Sequence, residues 1–496
     1  LSIGMMVRNE SKYLKRCLQS LQPIRDAVDS ELIIVDTGST DNTVEIAKKF
    51  TERVYYRPWN NNFSEMRNIT IDYAQGEWFF CIDGDEIVVE PEGIIGFLNS
   101  KICDIVNTGS ITVKNITDEN DDTSYSVVFS NRLFRKDKDF HFEGAVHNQA
   151  KFKLPVAEIN TTLLHYGYIA TDKELMERKF KRTSSILKAE LEKTPDNIYY
   201  LYQLSCSYSM HNDHEKALIP IEKAYSIMKK NKAGIHMYVY TQLALAYLDN
   251  KMFENTEKIC KEAIEVNDGY IDLFYYLAAS QYMLNKNEEA IKSYERYLQL
   301  MARYSNSAVS QDKSITHYTI GKCEDVYYNL LILFNKTGHY ENGIKYGNKI
   351  TSPKILELSF KEMVLAYIKL TDYEGLHRYY ERKLSQKQLY LQDGFFSTLE
   401  MQSSIIDEND KKELYKAFAK DSDSYSMLNK IRIGDINDQD LYDVMKMDFN
   451  ALPDFYGDII YYLLKKQKSL DSVLWNLRDS KITCFMEYLA VKYKDF

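Results

Sequence analysis

Trp78-Phe79-Phe80-Cys81-Ile82-Asp83-Gly84-Asp85-Glu86 sets five apolar residues against three carboxylates in nine positions. Such a run suits a strand buried on both faces, as in a sheet covered by helices. Carboxylates are almost never fully buried without a partner. The stretch therefore reads as a central strand that emerges at residues 83–86 into a polar crevice. Taken alone, Asp-Gly-Asp is more often an acidic turn capping the next helix, so the flanking chain decides.

Around this stretch, short apolar runs alternate with helical ones: LSIGMMV, a helix over 11–21, ELIIVDTG, a helix over 40–50, RVYYRPW, a helix over 63–74, then EWFFCIDGDE. That alternation marks a parallel sheet wrapped by helices. GSITVKNI, SYSVVFSNRLFR and TTLLHYGY extend it as strands and hairpins. From Thr171 the pattern is helix only, opened by the capping box Thr171-Asp172-Lys173-Glu174 and broken at Thr194-Pro195-Asp196. Beyond it Leu204, Tyr208, Ala217, Ile221 and Ala224 recur in kind as Leu243, Tyr247, Thr256, Cys260 and Ala263, each offset kept. Looser copies surround Leu277, Ala290, Tyr294 and Tyr367, Leu376, Tyr380, with an insertion over 301–324. A unit of roughly 34 residues with small side chains at helix crossings resembles the tetratricopeptide pattern.

At 496 residues, two or more domains are expected. The net charge of −9 argues against a nucleic acid or an anionic lipid surface as the main partner. The seven cysteines are scattered, without a Cys-x-x-Cys pair, so neither a disulfide framework nor a zinc site is indicated. A cytoplasmic setting is expected. No window approaches the roughly 18 apolar residues of a membrane span, and no secretory signal is expected from an opening that lacks a basic n-region.

In parallel α/β sheets ligands sit beyond the carboxyl ends of the strands. Arg8, Asn9 and Glu10 follow the first strand, residues 36–41 the second, and residues 83–86 the fourth, which places one acid- and amide-rich pocket at a shared rim. Neither a Gly-x-Gly-x-x-Gly after the first strand nor a Walker loop is present. A pocket that holds a diphosphate with acids needs a cation between them, and hard divalent ions bridge carboxylate to phosphate. Asp-x-Asp at a strand end supplies one side chain for the metal and one for a sugar hydroxyl, with Gly84 allowing close backbone approach.

MMVRNES, IIVDTGSTDNTVEIAKKF, RVYYRPWNNNFSEMRNITIDYAQGEWFFCIDGDE, NRLFR, FHFEGAVHNQ and LHYGY, in this order over about 165 residues, resemble the bacterial family-2 glycosyltransferases of the GT-A fold that carry tetratricopeptide repeats. The arrangement is similar to the sublancin-type peptide glycosyltransferases, which attach a sugar from a UDP-sugar to Cys or Ser of a bacteriocin precursor. The resemblance implies an α/β GT-A domain over 1–170, a connecting helix over 171–195, all-α tetratricopeptide-like repeats over 196–400 and a helical extension over 401–496.

It further implies that Asp36 contacts the uracil, that Val7, Asn9 and Glu10 lie against the nucleotide with Arg67 beside it, and that Asp83 meets the ribose. Asp85, with His165, would hold Mn²⁺ or Mg²⁺ on the diphosphate of UDP-glucose or a UDP-N-acetylhexosamine. The family commonly has a small non-Gly residue at position 84 and an acid at 148, where this chain has Gly84 and Asn148. Weight for the base therefore shifts to Glu143 or His147. Glu86 is read as a cap on the next element, and Trp59 as a core residue before a stacking platform.

The implied function is inverting, metal-dependent transfer to Ser/Thr or Cys of a peptide or protein bound partly by the repeats, with a homodimer left open as the assembly. A saccharide acceptor, or a repeat scaffold with an inactive sheet domain, stands as the alternative.

Overall fold

In the computed structural model, β1 (Ser2–Val7) pairs in parallel with β2 (Glu31–Asp36) in register from Ser2↔Glu31 to Val7↔Asp36. The structure describes residues 1–119, 125–146, 148–167, 169, 173–231, 234–312, 315–466 and 477–493. With β3 (Val54–Tyr56), β4 (Trp78–Cys81), β5 (Glu86–Val89), β6 (Thr108–Ile116), β7 (Tyr125–Arg135) and β10 (Val156–His165), these strands form an eight-stranded sheet in the order β3-β2-β1-β4-β7-β6-β10-β5. A separate hairpin pairs β8 (His141–Glu143) with β9 (Gln149–Lys151). All four residues of β4 are buried, which bears out the central strand expected from WFFC.

The β3-β2-β1-β4 part is parallel; beyond β4 the sheet turns mixed, because β7 runs antiparallel to β4 and β5 antiparallel to β10. The reversal shapes the rim. β5 leaves the Asp-Gly-Asp turn and pairs with the end of β10 at His165↔Glu86, so a histidine about 80 residues downstream is delivered to that turn by sheet register.

The first helices are shorter than the sequence suggests. α1 (Leu14–Ser20) starts late because Asn9 adopts a left-handed φ of 57° and the Ser11 amide is taken by Asp41. α2 (Gln22–Ala27) follows it. α3 (Thr43–Ala47) starts only after the turn built around Asp36. α4 (Phe63–Tyr73) is capped by the Asn62 side chain and ends within a residue of its expected limit. α5 (Glu92–Leu98) and α6 (Ile102–Ile105) complete the helices of the sheet region.

α7 (Lys173–Lys193) leads into the helical hairpins α8/α9 (Ile198–Met210, His214–Asn231), α10/α11 (Met237–Asp249, Phe253–Val266) and α12/α13 (Ile271–Met283, Asn287–Met301). Residues Thr171 and Asp172 of the expected capping box lie outside the described residues. Each hairpin turn places one residue, Asn212, Lys251 or Asn285, at φ of 61°, 58° and 58°. The repeated small residues Ala217, Ala224, Thr256 and Ala263 are fully buried, which is what lets the helices cross closely.

The chain divides into two units, Leu1–Lys322 and Cys323–Phe496. The division falls inside the stretch 196–400 expected to be one repeat array. The insertion after α13 belongs to the first unit. There Asp272 accepts from the Thr319 amide at 2.8 Å and meets His317 Nδ1 at 3.0 Å, and His317 bridges to Val127 of β7. The second unit is helical throughout its described residues, with its own core around Phe360, Phe395 and Phe485. A buried Arg432 is held there between Glu400 and Asp458, each at 2.6 Å.

Candidate active site

The turn after β4 is built from crossed ion pairs. Arg67, on α4, reaches Asp83 Oδ1 and Oδ2 at 2.9 and 3.2 Å and also donates to Cys81 Sγ. Glu86 is fully buried; its Oε1 receives Arg132 Nη2 at 2.5 Å and its Oε2 accepts the Asp83 amide at 2.9 Å. Burial pushes the Asp83 carboxyl up, and the Arg67 and Arg132 guanidiniums outweigh it, holding the group below the ordinary Asp range. Glu86 is therefore no helix cap. It fixes the turn from inside, against Arg132 of the NRLFR run.

Asp85 projects from this turn to a second cluster. His165 Nε2 lies 3.4 Å from Asp85 Oδ1 and Lys179 Nζ lies 3.1 Å from Oδ2. His165 Nδ1 is 2.9 Å from Asn115 Oδ1, its partner in register on β6. An amide oxygen only accepts, so Nδ1 carries a proton and Nε2 of the neutral ring presents a lone pair to a carboxylate. That pairing is favourable only with a proton or a metal between the two atoms. Burial disfavours the His165 cation, but Asp85 outweighs it and raises the group above the usual His range. Burial of Asp85 is in turn outweighed by His165 and Lys179, which hold it well below the carboxylate range.

One carboxylate oxygen and one imidazole nitrogen, with the second ring nitrogen fixed by an outer partner, form a donor set that could hold a divalent transition ion such as Mn²⁺ and suits the all-oxygen preference of Mg²⁺ less well. Gly167 closes the pocket around them. A Cβ there would come within 2.5 Å of His165 Nε2 and 2.7 Å of Asp85 Oδ2, so a side chain would fill the cradle.

The loops after β1 and β2 lock to each other. Asn9 Oδ1 accepts the Thr40 amide at 2.7 Å, the Asn9 amide donates to Ser39 Oγ at 2.9 Å, and the Glu10 amide donates to Thr43 Oγ1 at 2.8 Å. Both oxygens of Asp36 accept backbone amides of Gly38 and Ser39. Val7 and Glu10 lean over Gly84, where an added Cβ would meet Val7 Cγ1 at 3.2 Å and Glu10 Cγ at 3.3 Å, a tight fit that those side chains would have to relieve. Burial first, and then the charge of Asp85, push the Glu10 carboxyl up to about 8.

Val7, Glu10, Arg67, Asp83, Asp85 and His165 all line one cavity of about 440 Å³. Asn9 and Asp36 stand behind it, holding the rim loops. Glu143 does not reach it. The reason is the hairpin: β8 turns Glu143 outward, where it pairs with Lys151 at 3.2 Å and His141 at 3.1 Å in solvent. His147 lies outside the described residues, although its neighbours Val146 and Asn148 line the cavity. Among the described residues Asn148 Nδ2, a buried donor, has no acceptor. The segment is held by α4, since Ser64 Oγ donates to Gly144 O at 2.7 Å and Asn68 exchanges two hydrogen bonds with Phe142. The far wall is helical, with Tyr202, Cys206 and Met210 from α8 and Tyr318 from the folded-back insertion.

Residues 2–154 match the family model described as glycosyl transferase family 2. This segment is a family 2 glycosyltransferase domain. Among curated proteins, the SPbeta prophage-derived glycosyltransferase SunS of Bacillus subtilis is 29% identical over 237 residues, 46% of this chain and 54% of SunS. A TPR repeat-containing protein of Synechococcus elongatus is 30% identical over 214 residues, 41% of this chain and 51% of its own. The chain thus spans about half the length of these two relatives. The lipopolysaccharide core biosynthesis glycosyltransferase LpsC of Rhizobium meliloti is 23% identical over 215 residues, 39% of this chain and 74% of LpsC. The crystal structure of YrrB, described as a TPR protein with an unusual peptide-binding site, aligns with 44% of this chain and 98% of its own at 13% identity and a TM-score of 0.30.

The family 2 domain supplies most of the rim, yet the basic cavity residues His165, Lys179 and Arg182 lie beyond residue 154. Lys179 and Arg182 carry no sequence signal, since cations on an amphipathic helix read as solvent-facing. Arg132, inside the NRLFR run, has no role legible in the chain, and its burial against Glu86 supplies one. Among the described residues no helix is long and apolar enough to cross a membrane.

Proposed function

We propose that this chain is an inverting, metal-dependent glycosyltransferase that moves a sugar from a UDP-sugar to a Ser/Thr or Cys side chain of a peptide or protein. The observation that carries this reading is the shared cavity. The Asp83–Asp85–His165 rim forms one wall, and side chains of α8 and the insertion form the other. A donor held at the rim would present its anomeric carbon toward the helical wall, where an acceptor side chain enters. The likeness to SunS, a glycosyltransferase, supports the same class.

Asp85 and His165 would hold the divalent ion, which when bound supplies positive charge to the leaving diphosphate. Glu10 and Gly84 shape the floor, and Arg67 keeps the Asp83 carboxylate ionised and aimed. In the transfer, the acceptor oxygen or sulfur bonds to the anomeric carbon as the bond to UDP breaks on the opposite face, and the acceptor proton passes to a base. A thiol acceptor needs less help, because thiols ionise more readily than hydroxyls. The seven cysteines are all free, which fits a cytoplasmic setting.

Incubation with UDP-glucose or UDP-N-acetylglucosamine, Mn²⁺ and Ser- or Cys-containing peptides tests the reading. UDP release that Asp85→Ala abolishes, with a hexose- or N-acetylhexosamine-sized mass increment on the peptide according to the donor, is expected. No release above Asp85→Ala with any common UDP-sugar would overturn it.

A further inference from the structure

We propose that Arg182 of α7 is the phosphate-binding cation of this cavity, gripping the diphosphate of the nucleotide from outside the family 2 domain. The inference rests on the UDP-sugar reading above and adds a residue that the domain does not contain.

The other buried cations of the rim have protein partners. Arg67 is engaged by Asp83 and Cys81, and Arg132 by Glu86. Lys179 lies against Asp85 and also reaches Gly167 O at 3.3 Å. Arg182 lines the same cavity, three positions after Lys179 on one face of α7. Among the described residues no carboxylate lies within ion-pair distance of it, although the charges of Glu10 and Asp85 act on it from the same cavity; its Nε is a buried donor without an acceptor, as are those of Arg67 and Arg132, whose outer nitrogens are engaged. Its guanidinium rests over the Phe63 ring, 5.0 Å from the centroid, which fixes the plane without meeting the donors.

A half-buried guanidinium with its Nε unmet and no ion pair is left for a ligand to complete. Arg8, exposed at the cavity mouth, adds further positive charge. The missing partner is therefore an anion, and the planar fork of Arg matches a phosphate in two parallel hydrogen bonds. Asp85 stands within the same cavity. A diphosphate would meet a metal at Asp85 on one side and Arg182 on the other, so that the charge growing on the leaving group is divided between them.

Titration calorimetry of the full chain with UDP and with uridine, in EDTA and again with Mn²⁺, tests the assignment, with inorganic pyrophosphate as a third ligand. In EDTA the wild type should prefer UDP to uridine, and Arg182→Gln should weaken UDP and pyrophosphate by about tenfold or more while leaving uridine within about twofold. Arg182→Lys should retain part of the preference. Equal loss of UDP and uridine affinity in Arg182→Gln would assign Arg182 to packing on Phe63 and overturn the inference. An unchanged preference for UDP over uridine would overturn it alone and leave the UDP-sugar reading standing. A wild type that binds neither ligand, with or without Mn²⁺, would overturn both.

Discussion

Glu86 and Arg132 form a buried pair, 2.5 Å apart, with the carboxylate fully removed from solvent and its second oxygen on the Asp83 amide. The pair ties β7 to the turn that carries Asp83 and Asp85. Removing one partner of a buried ion pair strands the other charge and costs about 3–5 kcal/mol. Glu86→Ala should therefore lower the denaturation midpoint followed by the fluorescence of Trp59 and Trp78. Arg132→Met in a Glu86→Leu background should recover much of the loss. If Glu86→Ala and wild type unfold together, the pair does not anchor the turn.

Glu10 gives a signed pH dependence. Its folded pKa of about 8 lies above the ordinary value of 4.5. Such a group contributes stability that is complete below pH 4.5 and is lost progressively as pH rises through 8. Glu10→Gln stays neutral and escapes the loss. The melting temperature of Glu10→Gln minus that of the wild type should grow between pH 5 and pH 8 and level off above it. A difference that shrinks with rising pH would contradict the burial of Glu10 under the rim.

The helical wall should govern the acceptor and not the donor. Met210 is 42% exposed on that wall, so replacing it carries little folding cost. Met210→Asp should reduce kcat/KM for a peptide acceptor by about tenfold, as loss of an apolar anchor does. Affinity for UDP, measured by titration, should stay within about twofold of wild type in the same variant. Parallel losses in both would mean that the wall serves the nucleotide.

Much of the catalytic half is legible in the chain because its signals are local. WFFC reads as a buried strand, and Val7, Glu10, Asp83 and Asp85 fall at strand ends, where sheet geometry alone brings them together. What escapes is set by long-range register. His165 meets Asp85 through the β5/β10 pairing, while Glu143, equally plausible in sequence, is turned outward by the β8/β9 hairpin. Asp36 illustrates a second limit: an acid before Gly-Ser-Thr suits a ligand contact and a turn alike, and here its oxygens accept the amides of Gly38 and Ser39, with acceptor capacity left over. The cations of α7 are invisible because helical periodicity tells which face is apolar and not what a polar face meets.

Glu143 accordingly yields a contrast with the cavity residues. Glu143→Gln should transfer sugar at a rate within about twofold of wild type, since the group lies in solvent with Lys151 and His141. A loss of about a hundredfold or more in UDP release would return Glu143 to the base role.

The donor set at Asp85 and His165 is tested most directly by anomalous diffraction at the manganese edge from crystals grown with Mn²⁺ and UDP. One manganese peak is expected, about 2.0–2.2 Å from an Asp85 carboxylate oxygen and from His165 Nε2, with phosphate oxygens completing its shell. Manganese bound elsewhere, or UDP seated in the cavity with no metal at Asp85, would contradict it.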